Sequence, residues 1–229
     1  MNHNYVIIVA GGSGKRMDAD IPKQFLLING KPILMHTCET FYRFSHSLSL
    51  ILVLPAEHIA TWEDLCKKYA FNIPHQIVSG GPARFYSVRN ALETILPNEG
   101  LVAIHDGVRP LVSHETIQAA FDAALKHGNA IPVIPVIESV REINSVGNHI
   151  IDRSKLQLIQ TPQVFKCTLI SKAYEQDYSK AFTDDASVLE KMGEKIVLTK
   201  GNPENIKITR PIDLIIAEAL IHHAGKGIA

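Results

Sequence analysis

The chain lacks most of what would make it a nucleic-acid, membrane or disulfide-framed protein. Lys plus Arg and Asp plus Glu both number 23 among 229 residues, so the formal net charge is zero. A generic nucleic-acid or membrane-surface binder needs a basic excess, which is missing here. The three cysteines, Cys38, Cys66 and Cys167, lie far apart with no CxxC pair. That excludes a zinc knuckle or disulfide framework and leaves reduced, packed thiols as the expectation. No apolar run approaches the length of a membrane span. Met1 to Tyr5 lacks the basic start and long apolar stretch of a secretory leader, so a soluble cytoplasmic protein is expected. The eleven histidines include no HExxH and no zinc spacing, and no GxSxG marks a hydrolase nucleophile. Repeats, low-complexity tracts and linkers are absent too.

What is present is alternation. Tyr5 to Val9 is apolar at every position, as a strand buried on both faces of a parallel sheet must be. Ile33 to Phe44 carries an apolar stripe at helical spacing, and Leu48 to Leu54 is a second buried strand stopped by Pro55. Helices at Glu57–Tyr69, Arg84–Leu96 and His114–His127 interleave with strands at Gln76–Val78, Leu101–Ile104 and Ala130–Val136. With 46% hydrophobic residues, the chain can bury one full core. These features predict one α/β domain over 1–229: a Rossmann-like, mostly parallel sheet with helices on both faces and right-handed crossovers. Between 137 and 160 the pattern changes to short β-prone pieces around Asn144, Gly147 and Asn148, which predicts a projecting β-arm. Helices at Thr168–Gln176, Asp184–Lys191 and Asp213–Ile221 and a strand at Lys195–Thr199 complete the chain.

Ligands of open parallel sheets bind beyond the carboxyl ends of the strands, so the segments after strands are the candidates. The strongest is Ala10-Gly11-Gly12-Ser13-Gly14-Lys15-Arg16. Its glycines let backbone N–H groups approach an anion, and Lys15, Arg16 and Lys23 add cations suited to a triphosphate. It is neither a Walker A loop, since Val9 and Arg16 stand where Gly and Ser or Thr are needed, nor a dinucleotide loop, since Met17 replaces the last Gly. A solvated glycine turn is the bland alternative.

Val9-Ala10-Gly11-Gly12-Ser13-Gly14-Lys15-Arg16-Met17 followed by Pro22-Lys23-Gln24-Phe25 resembles the opening signature of the polyol-phosphate cytidylyltransferases, in particular those acting on methylerythritol 4-phosphate. The similarity continues through Gly80-Gly81 with Arg84 and Ser87, His105-Asp106 with Arg109-Pro110, and Asp152-Arg153. It then runs through Thr161-Pro162-Gln163, Thr183-Asp184 and Asn205-Ile206-Lys207-Ile208-Thr209. The ordered set spans nearly the whole chain.

The resemblance implies transfer of CMP from CTP to a polyol phosphate with release of pyrophosphate. It implies that Arg16, Lys23 and Lys207 stabilise charge at the α-phosphorus, with Gly12 and Gly14 in the loop beside the phosphates. Ala10, Gly11, Gly81, Ser87 and Asp106 would surround the nucleotide. Asp106, Arg109, Ser139, Arg153 and Thr161 would serve the acceptor, Arg153 and Thr161 at its phosphate, with the arm of a twin subunit in a homodimer reaching across. Ser139 stands where the family has Thr. Two departures are Pro82, in place of an acidic residue beside the base, and Gly107-Val108, in place of two alanines.

The chemistry is consistent without the family. A phosphate monoester is already anionic near neutral pH, so its attack needs no general base, only alignment and charge neutralisation. Mg²⁺ is expected mainly on phosphate oxygens and water, with Asp106 as a single protein ligand; a turn-capping role is the alternative for that carboxylate. His105 reads as a buried, hydrogen-bonded imidazole. Asp184-Asp185 reads as a helix cap and first turn as readily as a two-carboxylate metal motif. Ribitol 5-phosphate is the rival acceptor, and a non-catalytic nucleotide binder is the rival class.

Overall fold

The computed structural model describes residues 3–11, 21–95 and 99–224. The chain opens on β1 (Tyr5–Val9), resumes in a small ladder of β2 (Leu27–Ile28) and β3 (Lys31–Pro32), and enters α1 (Ile33–Phe44). There follow β4 (Ser49–Leu54), α2 (Ala56–Lys68), β5 (Gln76–Ser79), α3 (Arg84–Glu93), β6 (Leu101–Asp106), α4 (His114–His127) and β7 (Asn129–Pro135). Then come β8 (Val140–Asn144), β9 (Gly147–Ile151), β10 (Gln157–Ile159), β11 (Gln163–Lys166), α5 (Cys167–Ala173), α6 (Asp185–Glu190), β12 (Leu198–Lys200) and α7 (Pro211–Ala224).

Strands β5, β4, β1 and β6 lie side by side and parallel. The period of two along each strand sends neighbouring side chains to opposite faces. Val6, Ile8, Leu50, Leu52 and Ala103 face one cluster with Met35, Phe41, Trp62, Ile117 and Phe121 of α1, α2 and α4. Ile7, Ile51, Val53, Val102 and Ile104 face the other, with Phe85 and Val88 of α3, Ile170 of α5 and Leu189 of α6. Both faces are therefore dry, which is why these strands read as unbroken apolar runs. Local chemistry sets the helix limits. The Ser113 hydroxyl accepts from the Thr116 N–H to start α4, and Gly128 at φ 95° ends it in the left-handed region.

The second half departs from simple alternation. Strand β11 inserts antiparallel between β6 and β7, while β10 lies antiparallel against the other end of β7. The two are one extended path interrupted at Gln160-Thr161-Pro162, where the Thr161–Pro162 bond is cis. Strand β12 pairs parallel with β7. The sheet is thus mostly parallel with one antiparallel insertion. Nothing in the alternation predicted β11, because Pro162 just before it reads as a strand breaker. Strands β8 and β9 form a two-stranded hairpin of their own within 137–160. It leaves Ile143 and Val146 83% and 95% exposed.

Phe165 of β11 is fully buried among α5, α6 and β6 residues. Phe165→Ala is expected to cost about 3–5 kcal/mol through lost burial and the cavity left behind. Urea titration would show this as a lower midpoint at unchanged slope.

Candidate active site

The carboxyl ends of β1, β4 and β6 come together to form the floor of a cleft. Val9 pairs with both Val53 and Asp106, and beyond them the Ala10 N–H donates to Val53 O (2.9 Å) and the Gly107 N–H to Val9 O (2.9 Å). A side chain at Gly107 would meet Ala10 Cβ at 2.9 Å and Leu34 Cδ1 at 3.0 Å, so in this chain a larger residue here would force its neighbours to shift. The adjacent Val108 is buried against Ile28, Ile33 and Ile208 and lines the cleft. The Gly107-Val108 pair thus exchanges bulk between the two positions. On the β4 side, a Cβ at Gly81 would stand 2.4 Å from Tyr86 Cβ, so the turn that leads into α3 can pack on that helix only as glycine. The Ser87 hydroxyl pins this turn, accepting from the Gly81 N–H (3.1 Å) and donating to Ala83 O (3.2 Å).

The cleft encloses about 290 Å³; among the described residues, Lys23, Arg84, Ser87, Asp106 and Lys207 are its charged or hydroxyl lining groups. Asp106 ends β6 and is its focus. One oxygen, Oδ2, receives both Lys207 Nζ at 3.0 Å and Arg109 Nε at 3.1 Å. Burial alone would raise the carboxyl pKa, but Lys207, Arg84 and Arg109 outweigh it and hold Asp106 well below the usual carboxylate range. Arg109 is locked from its other end, donating to Asn205 O at 2.7 Å. Asn205 in turn donates to Thr161 O (2.8 Å), and the Ile208 N–H donates to Val108 O (3.0 Å). Lys207 therefore projects from a segment tied down on both sides.

Beneath Asp106 runs a buried polar chain with a determinate proton order. His105 Nε2 lies 2.9 Å from Arg109 O, which only accepts, so the imidazole carries its proton there. Nδ1 then accepts from the Thr161 hydroxyl (3.0 Å), whose oxygen accepts from the Asp106 N–H (3.1 Å). Burial pushes the His105 pKa down to about 4, partly opposed by the Arg109 carbonyl. The neutral ring packs edge-on to Phe41 at 4.8 Å.

Asp184 accepts from the Ser187 N–H in a capping box, so its capping role is observed. Asp185 does more than occupy a first turn. It is fully buried, and its two oxygens take Arg84 Nη1 and Nη2 at 2.7 and 2.6 Å.

Of the residues singled out from sequence, Ala10, Gly11, Lys23, Gly81, Ser87, Asp106 and Lys207 converge on the cleft. Arg109 and Thr161 lie behind it, bonded to Asp106 as described. Ser139 and Arg153 are exposed at the base of the hairpin and do not line this chain's own cleft; there Arg153 donates to Ile137 O, two residues from Ser139. Gly12, Gly14 and Arg16 lie outside the described residues. Sequence reasoning assigned no role to the cleft-lining Arg84 and read Asp185 only as part of a helix cap and first turn or a metal motif; the signal available was a basic residue three positions after Gly81 and an acidic pair after Thr183. No cluster of three metal-ligating side chains occurs among the described residues, and Asp106 is the one carboxylate among the described residues lining the cleft.

A doubly covered, mostly parallel sheet with a cationic cleft at its strand ends is the architecture of an α/β nucleotidyltransferase. The family model described as IspD, 2-C-methyl-D-erythritol 4-phosphate cytidylyltransferase, matches residues 4–223. The chain is 52% identical over 219 residues to the curated enzyme of that name from Phocaeicola vulgatus, covering 96% of this chain and all of the relative. It is 50% identical over 215 residues to that from Bacteroides fragilis, covering 94% and 98%. Among solved structures it matches 4-diphosphocytidyl-2C-methyl-D-erythritol synthase from Anaerococcus prevotii with a TM-score of 0.81 at 28% identity, covering 97% and 99%. The chain belongs to the 2-C-methyl-D-erythritol 4-phosphate cytidylyltransferase family.

Two outcomes follow from the geometry. Gly81→Ala must push the 80–83 turn away from α3, and titration calorimetry should show nucleotide affinity falling roughly tenfold or more. The unfolded imidazole protonates near pH ~6.5, before buried His105 does, so stability is full above that pH and declines as pH falls towards 4. The loss is on the order of 3 kcal/mol. Denaturation at several pH values should reveal this slope, and His105→Asn, which cannot titrate, should flatten it.

Proposed function

We propose that the chain transfers CMP from CTP to 2-C-methyl-D-erythritol 4-phosphate, giving 4-diphosphocytidyl-2-C-methylerythritol and pyrophosphate for isoprenoid precursor synthesis. The single observation that carries this reading is the family match over residues 4–223, and the cleft lined by Lys23, Arg84 and Lys207 around Asp106 supports it. In the proposed step, an oxygen of the acceptor phosphate forms a bond to the α-phosphorus of CTP. The bond from that phosphorus to the bridging oxygen of the β-phosphate breaks, and pyrophosphate leaves with the electron pair. No proton needs removing from the nucleophile, and His105 below the cleft is buried, neutral and bonded at both nitrogens.

On this reading Lys23 and Lys207, with Arg16, offset charge that grows on the α-phosphoryl oxygens and the leaving pyrophosphate. Asp106 and Arg109 fix Lys207 before substrate arrives, so little reorganisation remains for the reacting state. Mg²⁺, bound through phosphate oxygens with Asp106 as its one protein ligand, would shield the triphosphate. The arm belongs to the same proposal. Ser139 and Arg153 lie at the base of a hairpin with exposed Ile143, Val146 and Ile150, a surface suited to a second copy in a two-fold dimer. In that dimer they would reach the partner's acceptor site. No helix among the described residues is long and apolar enough to cross a membrane, and a cytoplasmic setting completes the proposal.

Pyrophosphate release should require CTP and Mg²⁺ and be fastest with methylerythritol phosphate; a preference for ribitol phosphate or for UTP would overturn the substrate assignment. Lys23→Ala should lower kcat by roughly 10²-fold or more with the thermal midpoint kept. Arg153→Ala should chiefly raise the acceptor KM. Mixing these two inactive or impaired variants should regenerate activity, because each mixed dimer holds one cleft with both side chains intact. Mixtures no better than their parts would defeat the shared site.

A further inference from the structure

Arg84 opens α3 at the lip of the cleft, and its side chain is 30% exposed. Asp185, 101 residues later on α6, is completely buried and holds both ends of the guanidinium, at 2.7 and 2.6 Å. Tyr174, itself buried after α5, donates its hydroxyl to Asp185 Oδ1 at 2.6 Å. The Tyr174 ring stacks on Phe85 at 4.7 Å, beside Arg84 in sequence. A bidentate fork braced by a third hydrogen bond leaves the guanidinium one orientation. Its charge is offset by a carboxylate in direct contact, while the N–H groups not bound to Asp185 remain. Arg84 therefore brings directed donors more than net positive charge.

We propose that Arg84 is a binding residue for an uncharged oxygen of the nucleoside, a ribose hydroxyl or base carbonyl, and that Asp185 and Tyr174 are positioning residues acting through it. The inference rests on the nucleotidyl-transfer reading and adds to it a contact outside the triphosphate tail. A neutral acceptor suits a guanidinium whose charge is already met by a carboxylate. Neighbouring Gly81 and Ser87, on the same turn and first helical turn, form the adjoining wall.

Removing one partner of a buried ion pair leaves an uncompensated charge, but replacing both keeps the interior neutral. The test therefore uses Arg84→Met/Asp185→Asn, with Asp185→Asn, Asp185→Glu and Tyr174→Phe beside it. Each is assayed for CTP KM, kcat and inhibition by inorganic tripolyphosphate, which carries the tail without the nucleoside. The double variant should raise the CTP KM about tenfold, lower kcat less, and leave the tripolyphosphate inhibition constant unchanged. Asp185→Asn should reproduce most of the KM effect and Asp185→Glu should reverse it. If the tripolyphosphate constant rises in step with KM, Arg84 serves the tail and the proposal falls. It falls equally if both Asp185→Asn and Tyr174→Phe bind CTP as the wild type does. Should the Asp185 variants fail to fold by thermal midpoint, Tyr174→Phe decides, with a two- to threefold rise in CTP KM expected and no rise overturning it. Wild-type protein that releases no pyrophosphate with any polyol phosphate would refute the reaction instead; calorimetry with CTP and tripolyphosphate would still judge Arg84.

Discussion

The arrangement of the cleft depends on keeping one buried carboxylate ionised. Asp106 stands where β6 ends, at a depth where a lone carboxylate would be driven to take up a proton and go neutral. Lys207 and Arg109 prevent that by meeting the same oxygen, and Arg84 adds its field. The dependence is mutual. Without the carboxylate, three cations converging on so small a volume would repel one another, and Lys207 on its half-exposed stem would have no fixed direction. A pocket for a polyanion must be cationic, yet a pocket of cations alone would be neither rigid nor stable in the empty protein. Placing one anion among them resolves the conflict.

Rigidity below Asp106 comes from polar groups that are neutral and fully used. His105, Thr161 and the Asp106 backbone form a chain in which every donor has one acceptor, and Asn205 ties the Thr161 carbonyl to the segment bearing Lys207. This layer joins β6, β11 and the loop before α7, elements distant in sequence, without placing another charge in the interior. A buried hydroxyl and imidazole with satisfied bonds cost little; the same groups unpaired would each forfeit their desolvation. The residues that look most catalytic by type are thus the ones least available to a substrate.

What the sequence revealed and what it hid have distinct physical causes. β1, β4 and β6 were legible because both faces are buried, which leaves no polar position in the run, and α1 and α4 because a one-sided stripe at helical spacing has few other readings. Gly81 was visible as a family landmark and Gly107 as a departure from the family pattern, but what surrounds each, Tyr86 at one and Ala10 with Leu34 at the other, exists only in three dimensions. β11 was missed since its apolar stretch is short and follows Pro162, and only pairing on both sides makes it a central strand. The Arg84–Asp185 bond was out of reach for a different reason. Nothing local marks two residues 101 positions apart as partners, and Asp185 sits next to a true capping residue, Asp184, that explains the acidic pair by itself.

The same separation by distance accounts for where the hairpin stands. A floor made of strand ends is rigid because the sheet continues beneath it, but strand ends line only one side of a bound molecule. An in-line displacement needs groups on both sides of the reacting phosphorus, since the nucleophile and the leaving group approach and depart along one axis. Within this chain the described cleft groups lie on the floor and its rims, while Ser139, just before β8, and Arg153, just after β9, stand at the base of the hairpin. Among the described residues the hairpin's strands pair only with each other, and Ile143 and Val146 are exposed. Set over the cleft of a second copy, as proposed, it would bury those side chains and supply the missing side. Two-fold symmetry would then give each cleft its second wall from a single sequence, and substrate enclosure would become a consequence of association and not of a moving domain.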